Sequence, residues 1–182
     1  MKTWICLLRG VNVGGNNKLP MKALAAELET LGLFEVRTYI QSGNVVFRGP
    51  SAKPDALAAK IRSAILRKFG FEPAVLVIEA GEYSKAAAAN PFHESTGESE
   101  GRTVHLFFLG DTPKTVPAAR LDAVRIPSER WQLIGKVLYL HAPDGFGTSK
   151  LATQAEKILG VPATARNWRT VSTLLEMARS AS

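Results

Sequence analysis

The chain lacks what several chemistries require. Its 182 residues include one cysteine, Cys6, so neither an intrachain disulfide nor a cysteine-based zinc site can form. The three histidines, His93, His105 and His141, show no HxH or HExxH metal spacing. No apolar run approaches the ~18 residues that a membrane span needs. Lys2 is followed by only a short apolar stretch and then Arg9-Gly10, which is not a secretory layout. There is no GxSxG elbow and no GxGxxG, and Asn16 stands where a Walker A loop needs Lys. No strand carries the closely spaced aromatics of an RNA-recognition motif. No metal, no cofactor and no membrane partner are therefore expected, and a cytoplasmic location is the default.

What is present is ordinary for a globular chain: 46% apolar and 21% charged residues. The length suits one large domain or two small ones, and folding should bury roughly 70% of the unfolded surface. Net charge is +7, divided as +5 over residues 1–80 and +2 over 81–182. A basic surface favours polyanions such as nucleic acid and nucleotides. The acids of the second half concentrate at Glu94, Glu98 and Glu100.

Thr3 to Arg9 (TWICLLR) reads as a buried strand, with Cys6 an inert core thiol. Gly10 to Leu19 is a Gly- and Asn-rich loop, and Pro20 suits the first turn of a helix. Met21, Leu24, Leu28 and Leu31 recur at helical spacing until Gly32. Strands at 36–40 and 45–47 flank Gln41-Ser42-Gly43-Asn44, a hairpin turn in which Gly43 and Asn44 can take positive φ. A helix over 54–69 and a strand over 74–78 complete a β-α-β-β-α-β order, the ferredoxin-like arrangement.

The second half repeats that order with variation. A short Ala-rich helix over 80–89 ends at Asn90-Pro91, and 93–101 is a polar, acidic loop. Strands follow at 102–109, 130–134 and 137–141, with a helix inside 112–123 that Pro117 makes hard to bound. A helix over 149–159, a short strand over 161–165 and a last helix capped by Asn167 close the chain. The hairpins TYIQSGNVVF and WQLIGKVLYL share one pattern. The expectation is an α+β protein of duplicated ferredoxin-like βαββαβ units, 1–80 and 81–182, with antiparallel sheets and helices packed on one face.

Four segments carry candidate chemistry. The loop Arg9-Gly10-Val11-Asn12-Val13-Gly14-Gly15-Asn16-Asn17-Lys18 joins a strand to a helix start. Backbone N–H groups turned inward by glycine, with Lys18 and Arg9 beside them, suit phosphate or carboxylate. The plainer account is a connection that needs Gly and Asn for positive φ. Gln41, Ser42 and Asn44 at the hairpin tip either face that loop or face water. Asp144 to Lys150 is a second Gly-rich loop entering a helix, where Ser149 or Thr148 can cap. Lys150 there opposes the helix dipole, which hints at an anion. In Arg166-Asn167-Trp168-Arg169, an aromatic between basic residues suits a nucleotide base, whereas core packing of Trp168 is the commoner role. His93 is the residue to test as an acid or base. The stripe Lys53, Lys60, Arg67 reads as a solvated helix face.

LLRGVNVGGNNKLPM, TYIQSGNVVF, the NPF of Asn90 to Phe92, Gly145 with Ser149-Lys150-Leu151, and TARNWRTV together resemble a bacterial family. It is the domain-of-unknown-function family sixteen-ninety-seven, and the resemblance runs over nearly the whole chain. It implies a duplicated ferredoxin-like fold and no established activity. Its recurrent residues map onto Arg9, Gly10, Asn12, Gly14, Gln41, Ser42, Gly43, Asn44, Ser149, Lys150, Arg166, Asn167 and Trp168. The position of Thr148 is often Arg in such sequences, so this chain carries one cation fewer there.

These residues are mostly polar and lie at turns and helix starts. The expectation drawn from them is one basic cleft between the two halves that binds a phosphorylated ligand, nucleic acid before mononucleotide. Fold analogy would put RNA on an open sheet face. Two other readings stand beside it. One is an enzyme on a small anionic substrate, with His93 moving protons and 93–101 as a lid. The other is a protein-interaction module.

Overall fold

A computed structural model describes residues 1–181, with the side chains of Glu98 and Glu100 outside the described set. The chain is mixed α+β, with two four-stranded antiparallel sheets and six α-helices among the described residues. It divides into two compact units. One is Met1–Lys85 together with the chain from Thr173 on, and the other is Ala86–Ser172. The divisions fall at Lys85 and Ser172, inside helices.

The first unit runs β1 (Lys2–Arg9), α1 (Met21–Thr30), β2 (Phe34–Tyr39), β3 (Asn44–Gly49), α2 (Pro54–Phe69), β4 (Ala74–Glu79) and the start of α3 (Ala80–Ala88). Its strand order is β2-β3-β1-β4. β1 is central, paired to β3 and β4, with Cys6 opposite Val45 on one side and Val77 on the other. Trp4, Cys6 and Leu8 share one core with Val45 and Phe47, with Leu24 and Leu28 of α1, and with Leu57, Ile61 and Ile65 of α2. The intervening residues Ile5, Leu7 and Val46 point to the opposite face and are also fully buried. A central strand buried on both faces must read as a continuous apolar run, and TWICLLR does.

In the second unit β5 (Val104–Leu109), α4 (Ala118–Val124), β6 (Arg130–Ile134), β7 (Val137–His141), α5 (Lys150–Leu159) and β8 (Ala163–Asn167) follow, and α6 (Trp168–Arg179) begins. Its sheet order is β6-β7-β5-β8. Phe107, Leu109, Leu138 and Leu140 share a core with Leu121 of α4 and with Leu151, Ala155 and Ile158 of α5. The other face carries Leu106, Phe108 and Tyr139, all buried.

Both sheets therefore have covered faces on both sides, which corrects the expectation of helices on one face and of an open face for RNA. In the first unit Arg37, which shares the face of Val46, donates from Nη2 to the Met177 carbonyl at 2.6 Å and from Nη1 to Ser180 Oγ at 2.9 Å. In the second, Tyr139 Oη donates to the Ala86 carbonyl of α3 at 2.6 Å. Burial raises the Tyr139 hydroxyl to about 12, so it stays a donor.

Some helix surface positions do more than meet water. Arg67 on α2 reaches the mostly buried Glu27 on α1 (3.2 Å), and Lys60 donates to the Leu31 carbonyl at the end of α1 (2.8 Å). The basic stripe thus ties the two helices together.

Candidate anion-binding loops

At the end of β1 the chain must reach α1, and it does so through a small hairpin. Val13 and Asn16 form a bridge, with Asn16 N–H donating to the Val13 carbonyl at 3.1 Å. Gly14 and Gly15 between them sit at φ +59° and +79°, the paired positive values of a type I′ turn. A phosphate nest alternates left- and right-handed residues instead. Those two glycines thus form a hairpin tip. Asn12 and Asn17 are also left-handed, at φ +55° and +48°.

The side chain of Asn12 holds the loop in place. Its Nδ2 donates to the Leu19 carbonyl (2.9 Å) and to the Gln41 carbonyl (2.7 Å), while its Oδ1 accepts from the Leu19 N–H (2.7 Å). Asn17 Nδ2 donates to the Gly10 carbonyl at 2.9 Å. The loop is also tied to the β2–β3 turn by Leu8 N–H, which donates to the Gly43 carbonyl at 2.8 Å.

The turn itself differs from the sequence reading. Ile40 (φ +48°) and Gly43 (φ +75°) are the left-handed residues, and Asn44 is not. Asn44 opens β3 and is fully buried, its Nδ2 donating to the Tyr39 carbonyl and to Ser42 Oγ. A β-branched residue at positive φ is strained, so Ile40 is held there by its surroundings. The structure therefore brings Arg9, Gly10, Asn12, Gly14 and Lys18 to the same end of one sheet as Gln41, Ser42 and Asn44. Arg9, Lys18, Gln41 and Ser42 are exposed; the Asn12 amide is spent on two backbone carbonyls, and the Asn44 amide on the Tyr39 carbonyl and Ser42 Oγ.

In the second unit Ser149 caps α5: its Oγ accepts from Ala152 N–H at 3.0 Å, and the residue is buried. Lys150 follows in the first turn and is exposed. Asn167 ends β8 and caps α6, its Oδ1 accepting from Thr170 N–H at 2.9 Å. Trp168 is half-buried, and a Cβ placed on Gly101 would lie 3.3 Å from its Cδ1. Arg166 is half-buried and donates from Nη1 to the Ala165 carbonyl at 2.8 Å.

Two histidines join this neighbourhood. His105 on β5 pairs in register with Asn167 and stacks on Phe146 of the Gly-rich loop, with ring centroids 3.9 Å apart. Burial pushes His105 down to about 4, against a smaller opposing effect of its hydrogen bond to the Thr103 backbone, so the ring is neutral. His93, by contrast, is exposed at the start of a short 3-10 turn, His93–Ser95. The segment expected as a plain loop holds a second such turn, Glu98–Gly101. The acids Glu98 and Glu100 lie there, with side chains outside the described residues.

The grouping that sequence reasoning missed is Phe92, Ser95, Arg130 and His141. Arg130 Nη2 lies 3.1 Å from His141 Nδ1 and 3.3 Å from Ser95 Oγ, and its Cζ sits 5.1 Å from the centre of the Phe92 ring. The two-residue turn Gly135-Lys136 already pairs Arg130 with His141, but nothing local shows that Phe92 and Ser95 return to that pair. Among the described residues no group of three or more His, Cys, Asp and Glu is arranged to hold a metal ion. None of the described helices is long and apolar enough to cross a membrane.

Comparison with known proteins then identifies the lineage. Residues 1–139 match the family described as Protein of unknown function (DUF1697), and the chain belongs to it, as its motifs implied. The match ends before Ser149, Lys150, Arg166, Asn167 and Trp168. In fold the chain is similar to a conserved bacterial protein from Streptococcus pneumoniae. The TM-score is 0.69 at 21% identity, over 97% of this chain and 98% of that one. No curated protein matches the chain.

Proposed function

We propose that the chain binds a phosphorylated ligand, nucleic acid before mononucleotide, through the exposed basic and polar side chains at its Gly-rich loops. The observation that carries this reading is the tie between two loops of the first unit. The Asn12 bonds and the Leu8–Gly43 bond hold Arg9, Lys18, Gln41 and Ser42 at one end of one sheet. Fixing the backbone in advance lowers the entropy cost of gathering such groups around an anion. Lys18 has no ion-pair partner among the described residues, so its charge is available. The net charge of +7 supports a polyanion. Lys150, Arg166 and Trp168 supply the same residue types in the second unit, with Ser149 and Asn167 as caps that orient the helix starts. No cofactor is assigned, and the proposed setting is the cytoplasm.

We also read the two units as copies of one ferredoxin-like βαββαβ unit. The element order and the strand order recur, β2-β3-β1-β4 against β6-β7-β5-β8.

The test is fluorescence anisotropy of a labelled single-stranded RNA over a salt series. Arg9→Ala and Lys18→Ala should each weaken binding and lower the salt slope by about one. Arg166→Ala, measured separately, reads the second unit. Absent binding at low salt, or variants that bind like the parent, overturns the reading. A protein-interaction role would then be favoured, because the same two loops expose Val13 (66%) and Ile40 (53%).

A further inference from the structure

We propose that Arg130 is the centre of a separate phosphate-binding point in the second unit. This inference does not rest on the loops of the first unit. Arg130 opens β6 and is exposed, and its guanidinium is held on three sides. The Phe92 ring lies under Cζ, Ser95 Oγ accepts from Nη2, and His141 Nδ1 faces the same Nη2. A guanidinium only donates, so His141 Nδ1 must accept and its proton sits on Nε2. None of the three holders is a carboxylate. Among the described residues no carboxylate pairs with Arg130, and Nε and Nη1 have no partner. Among the described residues, a positive charge is thus positioned with no carboxylate paired to it.

The remaining donors select the ligand. Both planar forks of a guanidinium use an Nη2 hydrogen, and here Nη2 is already engaged with Ser95 and His141. The paired contact that a carboxylate makes with a free arginine is blocked. Single donors at Nη1 and Nε remain, each able to take one oxygen, so the charge of the anion decides, and a doubly charged phosphate is favoured over a singly charged carboxylate.

Inorganic phosphate is the probe, added at constant ionic strength to 15N-labelled protein and followed at the Arg130 Nε and His141 ring signals. Saturable shifts at both are expected, and acetate should bind at least about tenfold more weakly. Arg130→Gln should abolish the response, and Arg130→Lys should recover part of it without the Phe92 contact. The response is read at the Arg130 and His141 signals themselves, which separates this point from the loops above. Shifts that never saturate, equal affinity for acetate, or a response that survives in Arg130→Gln overturn the proposal. Because the wild-type titration alone can refute it, a variant that fails to fold does not shield it.

Discussion

Asn12 donates its amide hydrogen to the carbonyl oxygen of Gln41 at 2.7 Å, and so joins two loops that lie 29 residues apart in sequence. The same side chain accepts from Leu19 N–H and donates to the Leu19 carbonyl. Asn12→Ala leaves these groups to water or to nothing and should cost about 2 kcal/mol. Asn12→Asp preserves shape but sets carboxylate oxygens against two carbonyl oxygens, so it should be no better than Ala. Urea unfolding of both variants, with hydrogen exchange at Leu19 N–H, checks this. An Asp variant as stable as the parent would refute the bonding assigned to Nδ2.

Gly43 is the tightest point of the same arrangement. It sits at φ +75°, and an added Cβ would lie 2.6 Å from Leu8 Cβ and 3.1 Å from the Leu8 carbonyl oxygen. Both the backbone conformation and the crowding oppose any side chain, and Leu8 is in the central strand. Gly43→Ala should therefore lose about 2–3 kcal/mol, more than an ordinary left-handed glycine at an open turn. Gly15→Ala is the comparison, since a Cβ there meets nothing within 4 Å. Equal losses at the two positions would show that φ alone, without crowding, sets the cost.

His105 makes stability depend on pH. Burial lowers its folded value to about 4 from 6.5, so between those values the unfolded chain holds a proton that the folded chain does not. Stability then falls as pH drops through that window, by about 3 kcal/mol at most, and no further below it. His105→Phe, which keeps a ring to stack on Phe146, should flatten this part of the profile. Denaturant midpoints from pH 7 to pH 4 measure it, and parallel curves for parent and variant would refute the assignment.

The legible parts of the sequence were those in which one local signal decides. α2 begins at Pro54 and ends before Gly70, which is left-handed at φ +79°, and both ends were readable from those two residues. β6 and β7 were readable in full because Gly135 separates two apolar runs. β2 starts at Phe34, two residues earlier than the pattern suggests, because Glu35 is left-handed and the register shifts there. Residues 93–101 have no apolar period, so their 3-10 turns left no trace. For the loops, the sequence showed which residue types were present but not which were already engaged. Asn12 and Lys18 look alike as polar loop residues, but in the structure the Asn12 amide is consumed by two carbonyls. In the Phe92–Arg130–His141 grouping the hairpin turn supplies the Arg130–His141 pair, but the returning segment that brings Phe92 is not local.

The bonds from Arg37 to Met177 and Ser180 span 140 and 143 residues. During synthesis the first sheet can pair its strands long before those partners exist. At ordinary elongation rates the delay is roughly 10 s or more. Through that interval Arg37 and the face around Val46 must wait, either open to solvent or guarded by a chaperone. The first sheet is finished only when residues 177–180 arrive. Damage to the last dozen residues should therefore be felt first at the amino-terminal sheet.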